Sequence, residues 1–595
     1  RTKDLFPTAR CSKILKVMSD NIKAVTIKVK ANGTEYLNPR VLSFSLLHQA
    51  NTISFAELVL FDGDWAKRDF QLSSQGDFAP GNEVEIEIGH SAKTKPVFKG
   101  IIVRQQIKSR KMSGTSLVLE IKHHAVKMSH LRKSKHFLEE TDGSIIETLI
   151  KDHGLSPEVD SDFETEHERM IQYCVTDWDF MVMRAEANGK LVYTEGDKIV
   201  VAKPEVKETG DTPKAIFGDN IYEFEAESES RDQLKAGSAI AWDHSSQELL
   251  EGIAKAPVDV QEGGSPNAED LADSLDEAEF KLRHSGDLPD TELKAWSNAT
   301  LLRSRLSKIR ARVQIDGNDA IKPGGTLILE GLSTAFNGPA FISSVRHCIS
   351  DGLWLTDIEL GLSPDCFASQ QTGVTEAPVS GLLAPMPGLQ IGVVKEIKDD
   401  PAGFFRVLVK MPIIDDVEDG IWCRVAHPNA GESHGVFFQP EVGDEVVLGF
   451  LSDDPRHAVV LGSMHNNDRN KPPIEDNDAY LKKGIVTKEG LMLTFNDDDK
   501  SVIIETPAGK KVTLDEKENV IRLEDDNRNL IEMSSDGIII ESGKDILLKA
   551  TGDISVEGMN IEQSAQAQFK AEGTAGMEVS SAATAVLKGA LVQIN

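Results

Sequence analysis

The residues best suited to chemistry stand in the pentapeptide GESHG at 431–435, where Ser433 is followed directly by His434. The spacing matches the G-x-S-x-G nucleophile elbow, in which a histidine removes the proton of an attacking serine. An elbow needs a strand before the serine and a helix after it. Here a Pro-Asn loop precedes the motif, and VFFQPEVGDEVVLGF, which is typical of two strands around a turn, follows it. The sequence therefore predicts a loop without catalytic function.

Other ligand-type side chains have spacings that argue against a metal site. NDDDK at 496–500 lacks the glycine and the later glutamate of an EF-hand loop, so a hairpin turn is predicted there. His123, His130 and His136 are seven and six residues apart, which places no two of them on a shared face with an acidic co-ligand. No phosphate-binding G-x-x-x-x-G-K-[ST] motif occurs. We predict no metal, no cofactor and no enzymatic activity.

Cysteine usage and net charge exclude further classes of function. Five scattered cysteines, never spaced C-x-x-C, indicate reduced and mostly buried thiols: Cys11, Cys174, Cys348, Cys366 and Cys423. The net charge of −31 opposes nucleic acid and anionic membranes as partners, because clustered Lys and Arg bind these. The one basic stretch, KHHAVKMSHLRKSKH at 122–136, is interpreted as a solvated edge or a contact to an acidic neighbouring subunit.

The length of 595 residues is too great for one hydrophobic core, so three to five domains are expected. No run approaches the ~18 apolar residues that a membrane helix needs, which predicts a water-soluble chain. The first residues, RTKDLFPTARCSKILKVM, contain no apolar core of signal-peptide length, so an ordinary export signal is not expected.

Short alternating strands dominate up to about residue 235. AVTIKVKANGTEYL places the turn pair Asn32-Gly33 between two strands, and NEVEIEIGH and SLVLEIKHH alternate regularly. Two helices interrupt this pattern. The first is predicted to open with a capping box at Ser144 and Glu147 and to end at Gly154, and the second to run from Thr176 and Asp179 to Gly189.

Composition divides the remaining chain. Residues 256–266 are predicted as a linker, and 267–312 show helical periodicity with Leu271, Leu275, Ala278 and Leu282 on one stripe. Strands resume from Val313 to Leu362. A polar, turn-rich stretch then leads to a compact segment at 381–466, and a Pro- and Asn-rich connector at 467–484 leads to a repetitive segment at 485–595.

The C-terminal segment repeats every eight residues. Two larger residues and a small one, each two positions apart, share one face of a strand, and the rest form a corner. After one seven-residue step the frame resumes. The triplets are Ile538-Ile540-Ser542, Ile546-Leu548-Ala550, Ile554-Val556-Gly558, Ile561-Gln563-Ala565, Phe569-Ala571-Gly573, Met577-Val579-Ser581 and Ala585-Leu587-Gly589.

Each octad is one strand and one corner, so at least three are needed to enclose an interior. One chain could supply three octads per coil, or three chains could each supply one face, and the period alone does not choose between them. A single-chain solenoid is expected to show a 24-residue modulation and a polar cap over its last coil. The sequence shows neither, which favours three intertwined chains.

Three separate segments carry a family resemblance. PEVGDEVVLGFLSDDPRHAVVLGSMHNNDRNKPP at 440–473 resembles the oligonucleotide-binding-fold module of VgrG spike proteins of type VI secretion and of phage-tail-like contractile injection particles. IQYCVTDWDFMVMRAEANGKLVY at 171–193 and FISSVRHCISDGLWLTDIELGL at 341–362 are similar to the hub half of that family. Val175 stands where many type VI spikes have Glu, so the branch of the family stays open.

The resemblance implies a mainly β fold with minor α content. Residues 1–370 would form a phage-hub-like region of two β-barrel-like subdomains plus helices, 381–466 an OB-fold neck barrel, and 485–595 an intertwined trimeric β-helix needle. Such a homotrimer caps the inner tube of a contractile injection machine and pierces the target envelope. Its expected partners are inner-tube and baseplate proteins, a PAAR-like tip protein and effector cargo, and it would touch a target membrane only by puncture.

The resemblance also implies roles for residues of the repeats. The trimer core of the needle is predicted to comprise Ile538, Ile540, Ile546, Leu548, Ile554, Val556, Phe569, Met577, Val579 and Leu587. The tip protein would dock at Leu591, Val592, Ile594 and Asn595. Only about 18 residues join barrel and needle, and the sequence stops with the needle, so effectors are expected to be carried separately. Assembly is expected in the cytoplasm, with delivery to the outside or into a target cell on firing.

A trimeric tailspike or adhesin that binds a surface glycan through its β-helix is the alternative function. Such a surface is expected to present aromatic platforms. The last 100 residues contain no Trp, and Phe495 and Phe569 are the aromatic residues that follow Tyr480. This composition favours the spike.

Overall fold

The computed structural model describes residues 25–594, except 37–38, 91–92, 112–113, 258, 276–278, 415–419 and 475–479. Strands make up 43% of the structure and helices 12%, and one five-stranded sheet closes into a barrel. The predicted mainly β fold with minor α content is therefore confirmed. The chain forms two compact units, one ending at Pro385 and the other beginning at Met386.

The first unit contains twenty-one strands among the described residues. They are Val25–Ala31 (β1), Thr34–Tyr36 (β2), Val41–Gln49 (β3), Thr52–Phe61 (β4), Glu83–His90 (β5), Lys93–Arg110 (β6), Gly114–Lys122 (β7), Arg132–Thr141 (β8), Ser156–Val159 (β9), Glu166–Thr176 (β10), Leu191–Glu195 (β11), Lys198–Ala202 (β12), Lys214–Ile216 (β13), Ile221–Ser228 (β14), Ala236–Asp243 (β15), Glu248–Ile253 (β16), Glu279–His284 (β17), Ile309–Asp316 (β18), Thr326–Glu330 (β19), Gly338–Ser350 (β20) and Leu353–Leu360 (β21).

Thirteen of these strands form one sheet in the order β14-β18-β21-β20-β3-β4-β7-β6-β5-β1-β2, with β19 paired to β20 and β13 to β19. Antiparallel pairing of β20 with β3 joins strands that lie about 300 residues apart in sequence. The Asn32-Gly33 turn closes the β1–β2 hairpin with a positive φ at both residues, which is the conformation of a type I′ turn. Separate apolar cores lie in the two halves of this sheet.

Six α-helices occur in the described part of the first unit: Gln71–Ser74 (α1), Asp142–Asp152 (α2), Asp177–Ala187 (α3), Ala268–Asp273 (α4), Asp290–Ser307 (α5) and Phe367–Gln370 (α6). The predicted cap of α3 is present, since the Thr176 hydroxyl accepts a hydrogen bond from Asp179 N. The predicted cap of α2 is wrong. Thr141, not Ser144, is its N-cap and accepts a hydrogen bond from the Ser144 amide.

The single helical stripe predicted for 267–312 is wrong as well. Helix α4 ends at Asp273, and Leu282 lies in strand β17, which pairs in parallel with β15. A second helix, α5, follows before β18 begins at Ile309. Ala278 lies outside the described residues.

A buried ion network ties four elements of the first unit together. Asp142 at the start of α2 accepts hydrogen bonds from Arg184 of α3 at 2.7 and 2.8 Å and lies 3.2 Å from Nε2 of His167 in β10. Arg184 also donates to Glu292 of α5 at 3.0 Å. Burial alone would raise the pKa of Asp142, but the bonds from His167 and Arg184 outweigh it and hold that pKa well below its usual range.

The second unit contains fourteen described strands. They are Gln390–Glu396 (β22), Val407–Lys410 (β23), Ile421–Val425 (β24), Ala430–Gly431 (β25), His434–Gly435 (β26), Glu445–Phe450 (β27), Ala458–Ser463 (β28), Lys482–Val486 (β29), Met492–Asn496 (β30), Ser501–Glu505 (β31), Lys511–Asp515 (β32), Val520–Glu524 (β33), Leu530–Ser534 (β34) and Gly537–Glu541 (β35).

The first part of the second unit is a closed barrel with the strand order β22-β23-β24-β28-β27. Its core consists of small and medium apolar side chains, among them Val394, Val409, Val446 and Leu448, all fully or nearly fully buried. Cys423 belongs to this core, and burial raises the pKa of its thiol to about 12. A reactive thiolate is therefore disfavoured at this position.

The seven strands β29 to β35 form an antiparallel meander in which each strand pairs with the next in sequence. Beyond Glu541 the described chain forms no further strand, but its backbone bends regularly. The bends begin at residues 543, 551, 559, 566, 574, 582 and 590. Their spacing of eight residues, with one step of seven, is the period of the octads.

Candidate functional site: the apolar face of the C-terminal repeats

Twelve apolar side chains of β30 to β35 share one face of the meander. Cross-strand pairs align them in two columns, because residues two apart in a strand share a face and each hairpin preserves that register. One column is Phe495, Val502, Leu514, Ile521, Met533 and Ile538, and the other is Leu493, Ile504, Val512, Leu523, Ile531 and Ile540. We call these twelve residues the apolar ladder.

The opposite face of the meander is mainly polar, although its central column also contains Ile503 and Ile539. Arg522 lies 2.8 Å from the carboxylate of its cross-strand partner Glu532. Thr494 and Thr513 lie in the same column as these two residues. One face thus suits water, whereas the apolar ladder leaves hydrocarbon exposed in the single chain.

Large apolar side chains are also exposed in the segment at 542–594, whose described residues form no strand pairing. None of its described residues forms a hydrogen bond between two main-chain groups, and every described residue from 543 onwards is solvent-exposed. Ile546 is 54% and Leu548 is 73% exposed. An extended backbone with unpaired amides and carbonyls, bearing large apolar side chains at regular intervals, is a ready template for pairing with other strands.

The structure locates most of the predicted needle and tip residues. The ten predicted core residues are each more than half exposed, and Ile538 and Ile540 lie in β35, opposite Met533 and Ile531 of β34. Among the predicted docking residues, Leu591 and Ile594 are almost fully exposed and Val592 is partly exposed. Asn595 lies outside the described residues.

The ten ladder residues that precede Ile538 were not predicted from the sequence. Their strands have five residues and their hairpins vary in length, so no fixed octad period marks them. The available signal was the alternation of apolar and polar residues in runs such as KVTLD and VIRLE.

The predicted loop around Ser433 is a minimal hairpin. Gly431 pairs with His434 across a two-residue turn, and Ser433 adopts a φ of 62° within it. All five residues of GESHG are exposed, and Nδ1 of His434 lies 2.9 Å from the Glu432 carbonyl oxygen. No helix follows within the described residues up to Phe450, so the architecture of a nucleophile elbow is missing there.

We expect a Ser433→Ala, His434→Ala double variant to match the parent protein in thermal stability, oligomeric state and delivery by the assembled particle. Both side chains are exposed, and the pair lacks the third group and the sheet that would activate a serine. Loss of delivery by a variant of normal oligomeric state would contradict this expectation.

The other ligand-type residues have structural contacts. In the 496–500 turn the Asp499 carboxylate accepts hydrogen bonds from Asn496 at 2.7 Å and from Lys517 at 2.6 Å. His123 is buried with Nε2 2.7 Å from the Gly196 carbonyl oxygen, and burial lowers its pKa to about 4. His123, His130 and His136 do not form a ligand group among the described residues.

One possible ligand group does occur in the described residues, at Asp243, His244 and Asp287. Asp243 closes the β15–β16 turn by accepting hydrogen bonds from Ser245 N and the Ser246 hydroxyl, both at 2.8 Å. Its carboxylate thus has a structural role in the turn.

The basic stretch at 122–136 is largely satisfied within the first unit. Arg132 donates to main-chain carbonyls of Cys174, Gly373 and Val374. Lys133 bonds to the buried Asp177 carboxylate. The stretch therefore joins parts of its own unit.

Comparisons with known proteins agree with this architecture. Residues 390–465, which contain the barrel, match the type VI secretion system/phage-baseplate injector OB domain. The type VI secretion system spike protein VgrG1a of Pseudomonas aeruginosa is 26% identical over 113 residues, which is 18% of each chain. The chain thus resembles VgrG-like spike proteins. Residues 21–351, more than half of its length, match the Alg8 N-terminal domain, and the chain belongs to that family.

Solved structures that show some similarity to this chain include tail proteins and secretion components. A 43 kDa tail protein of prophage MuSo2 from Shewanella oneidensis has 12% identity and a TM-score of 0.42, covering 57% of this chain and 99% of that one. A type VI secretion component from E. coli, described as similar to T4 tail proteins gp27 and gp5, has 13% identity and a TM-score of 0.37, covering 73% and 100%.

No helix in the described residues has the length and apolar character needed to cross a membrane.

Proposed function

We propose that this chain is one of three identical subunits of a non-enzymatic spike at the tip of a contractile injection machine. The apolar ladder carries the proposal, together with the unpaired segment at 542–594 that extends it. In a threefold arrangement each chain supplies one wall of a prism, and the ladders of the three chains face its axis. The spike would cap the inner tube and pierce the target envelope.

Two energetic requirements favour the association of three chains: burial of apolar side chains and pairing of main-chain groups. The exposed Ile, Leu, Phe and Met side chains each contribute about 1.5–3 kcal/mol when fully buried, and nine of the twelve ladder residues are exposed in the single chain. The unpaired main-chain groups of 542–594 need hydrogen-bond partners wherever they leave water. Neighbouring copies of the same strand-and-corner segment provide both, and the resulting prism has no long free edge.

The contacts of the candidate nucleophile and of the candidate metal ligands also fit a structural role of the chain. The candidate nucleophile lies in an exposed hairpin, and the candidate ligands have structural contacts. The related proteins named above are spike and tail proteins. We infer that rigidity and shape, not catalysis, perform the function, with inner-tube, baseplate and cargo proteins as partners and assembly in the cytoplasm.

Light scattering and electron microscopy of the purified chain test the proposal. We expect a mass of three chains and a particle with a broad base and a tapered rod. A stable monomer at micromolar concentration would refute the trimer, and a compact particle without a rod would refute the needle.

We further propose that residues 587–595 form the docking surface for a small PAAR-like tip protein. Leu591, Val592 and Ile594 present apolar side chains there, and three copies would form a triangular platform with open strand edges. Such edges favour pairing with a partner.

Deleting residues 590–595 is expected to leave the trimer intact and to abolish co-purification with a co-expressed tip protein. The deletion removes one corner and its apolar side chains but none of the apolar ladder. Lys588→Ala, just before the deleted segment, serves as a control that should retain the tip protein. Unchanged affinity of the truncated trimer would place the docking site elsewhere.

A further inference from the structure

Four phenylalanines form an exposed patch beside the barrel of the second unit. Phe404 and Phe405 lie between β22 and β23, and Phe437 and Phe438 follow β26. The side chain of Gln439 donates to the Phe405 carbonyl oxygen at 3.3 Å, which joins the two segments. Phe404 is 69% and Phe405 is 77% exposed. We call these four residues the aromatic patch.

The loop that carries Phe404 and Phe405 is held in one conformation by Asp400. Its carboxylate accepts hydrogen bonds from the amides of Ala402, Phe404 and Arg406 at 2.8–3.2 Å. The Arg406 guanidinium donates to the same carboxylate at 2.6 Å. A well-ordered loop loses little conformational entropy when it binds, so it is a suitable carrier for an interface anchor.

The backbone conformation of Phe405 is a second indication that this loop carries an interface anchor. Its φ of 56° lies in the left-handed region, which is unfavourable for a residue with a large side chain. The loop thus adopts an unfavourable conformation in which a large aromatic side chain faces water. Aromatic residues presented in this way are typical anchors of protein interfaces.

A different apolar patch lies on the outer wall of the same barrel. Leu389, Ile391 and Leu461 are exposed there. Leu389 and Leu461 both lie over Gly449 of β27, where an added Cβ would stand 3.9 and 3.2 Å from their methyl carbons. We call these three residues the aliphatic patch. Ile391 is near the start of β22 and the Phe404 loop follows its end, roughly 17 Å away along the strand.

We propose that the aromatic patch of each barrel packs on the aliphatic patch of the next copy of this chain, closing a ring of three barrels. This inference rests on the proposed trimer. Threefold symmetry cannot use a self-complementary contact, because each subunit must present two different surfaces to its two neighbours. The barrel has two such surfaces, one aromatic and one aliphatic. The connector of 18 residues between Ser463 and Lys482 keeps neighbouring barrels close once the needles associate.

Cross-linking of engineered cysteines tests the pairing. The starting chain carries serine at Cys11, Cys174, Cys348 and Cys366 and keeps the buried Cys423. Phe405→Cys, Leu461→Cys and the double variant are treated with a flexible bismaleimide and separated under denaturing conditions. We expect the double variant to yield covalent three-chain species at least about tenfold above either single variant, because only unlike positions meet in the ring.

Light scattering of the same samples separates this inference from the proposed function. A double variant that is trimeric but does not cross-link would overturn the ring contact alone. Covalent dimers from either single variant would indicate a self-complementary contact and would also overturn it. A monomeric starting chain would overturn both the ring and the trimeric spike.

Discussion

Replacing Ile546 and Ile554 with aspartate is expected to abolish the trimer. Both residues occupy the apolar face of consecutive octads and are more than half exposed in the single chain. In a closed prism the double substitution places six carboxylates in the interior, each of which costs several kcal/mol unless it is neutralised. Light scattering should show monomers or aggregates instead of three-chain particles.

The matched control is Leu547→Asp with Ser555→Asp. These positions follow Ile546 and Ile554 directly, so their side chains point to the opposite face of the same extended segments. The control introduces the same six charges but leaves the apolar face intact, and we expect a normal trimer. A heat-resistant trimer from the Ile546, Ile554 variant would refute the threefold needle. Equal failure of both variants would show that charge itself, and not its position, prevents assembly.

The second large effect is an expected loss of stability of the first unit. Asp142→Ala should lower the free energy of unfolding of this unit by about 3 kcal/mol, because it leaves the Arg184 guanidinium with one carboxylate in a buried setting. The loss is measured as a lower urea midpoint and as faster amide exchange in the peptides of α2 and α3. Glu147→Ala is the control, since Glu147 makes an exposed pair with Lys151 on the same helix.

The same variant gives a pH test with a defined sign. The folded-state pKa of Asp142 is depressed, so its contribution is fully present above the unfolded value near 4 and is lost as the pH falls through the folded value. The stability difference between parent and Asp142→Ala should therefore be constant near neutral pH and shrink in strong acid. A difference that grows on acidification would contradict this assignment of the network.

Signals confined to a few neighbouring residues predicted local structure well. Asn32-Gly33 forms the expected hairpin turn, since both residues tolerate a positive φ. Thr176 caps α3, since its hydroxyl reaches the amide three residues later. These outcomes depend on groups within one turn of the chain.

The cap of α2 was mispredicted because two candidate residues lie three positions apart. Local chemistry allows either Thr141 or Ser144 to cap a helix. The choice of Thr141 includes Asp142 in the first turn, where it meets Arg184, His167 and Asn188. A contact between distant segments thus determines where the helix begins.

Leu282 shows that a local pattern can also fail to predict whether a segment forms a helix or a strand. The apolar spacing around it is compatible with a helix, but the segment pairs in parallel with β15. Parallel pairing supplies main-chain hydrogen bonds that no local pattern records. Weak periodicity over a short run is readily overridden by such a partner.

The sequence by itself determined the octad period, its single seven-residue step and the apolar face of residues 538–589, because each repeat is self-contained and its signal lies within eight residues. The mainly β class and the barrel segment also followed from local alternation and resemblance. Only the tertiary structure decided that strands β30 to β34 belong to the same apolar face. Their loops differ in length, and a shift of one residue in any hairpin would turn that strand's side chains to the other face. Cross-strand register is a property of paired strands, which no single segment encodes.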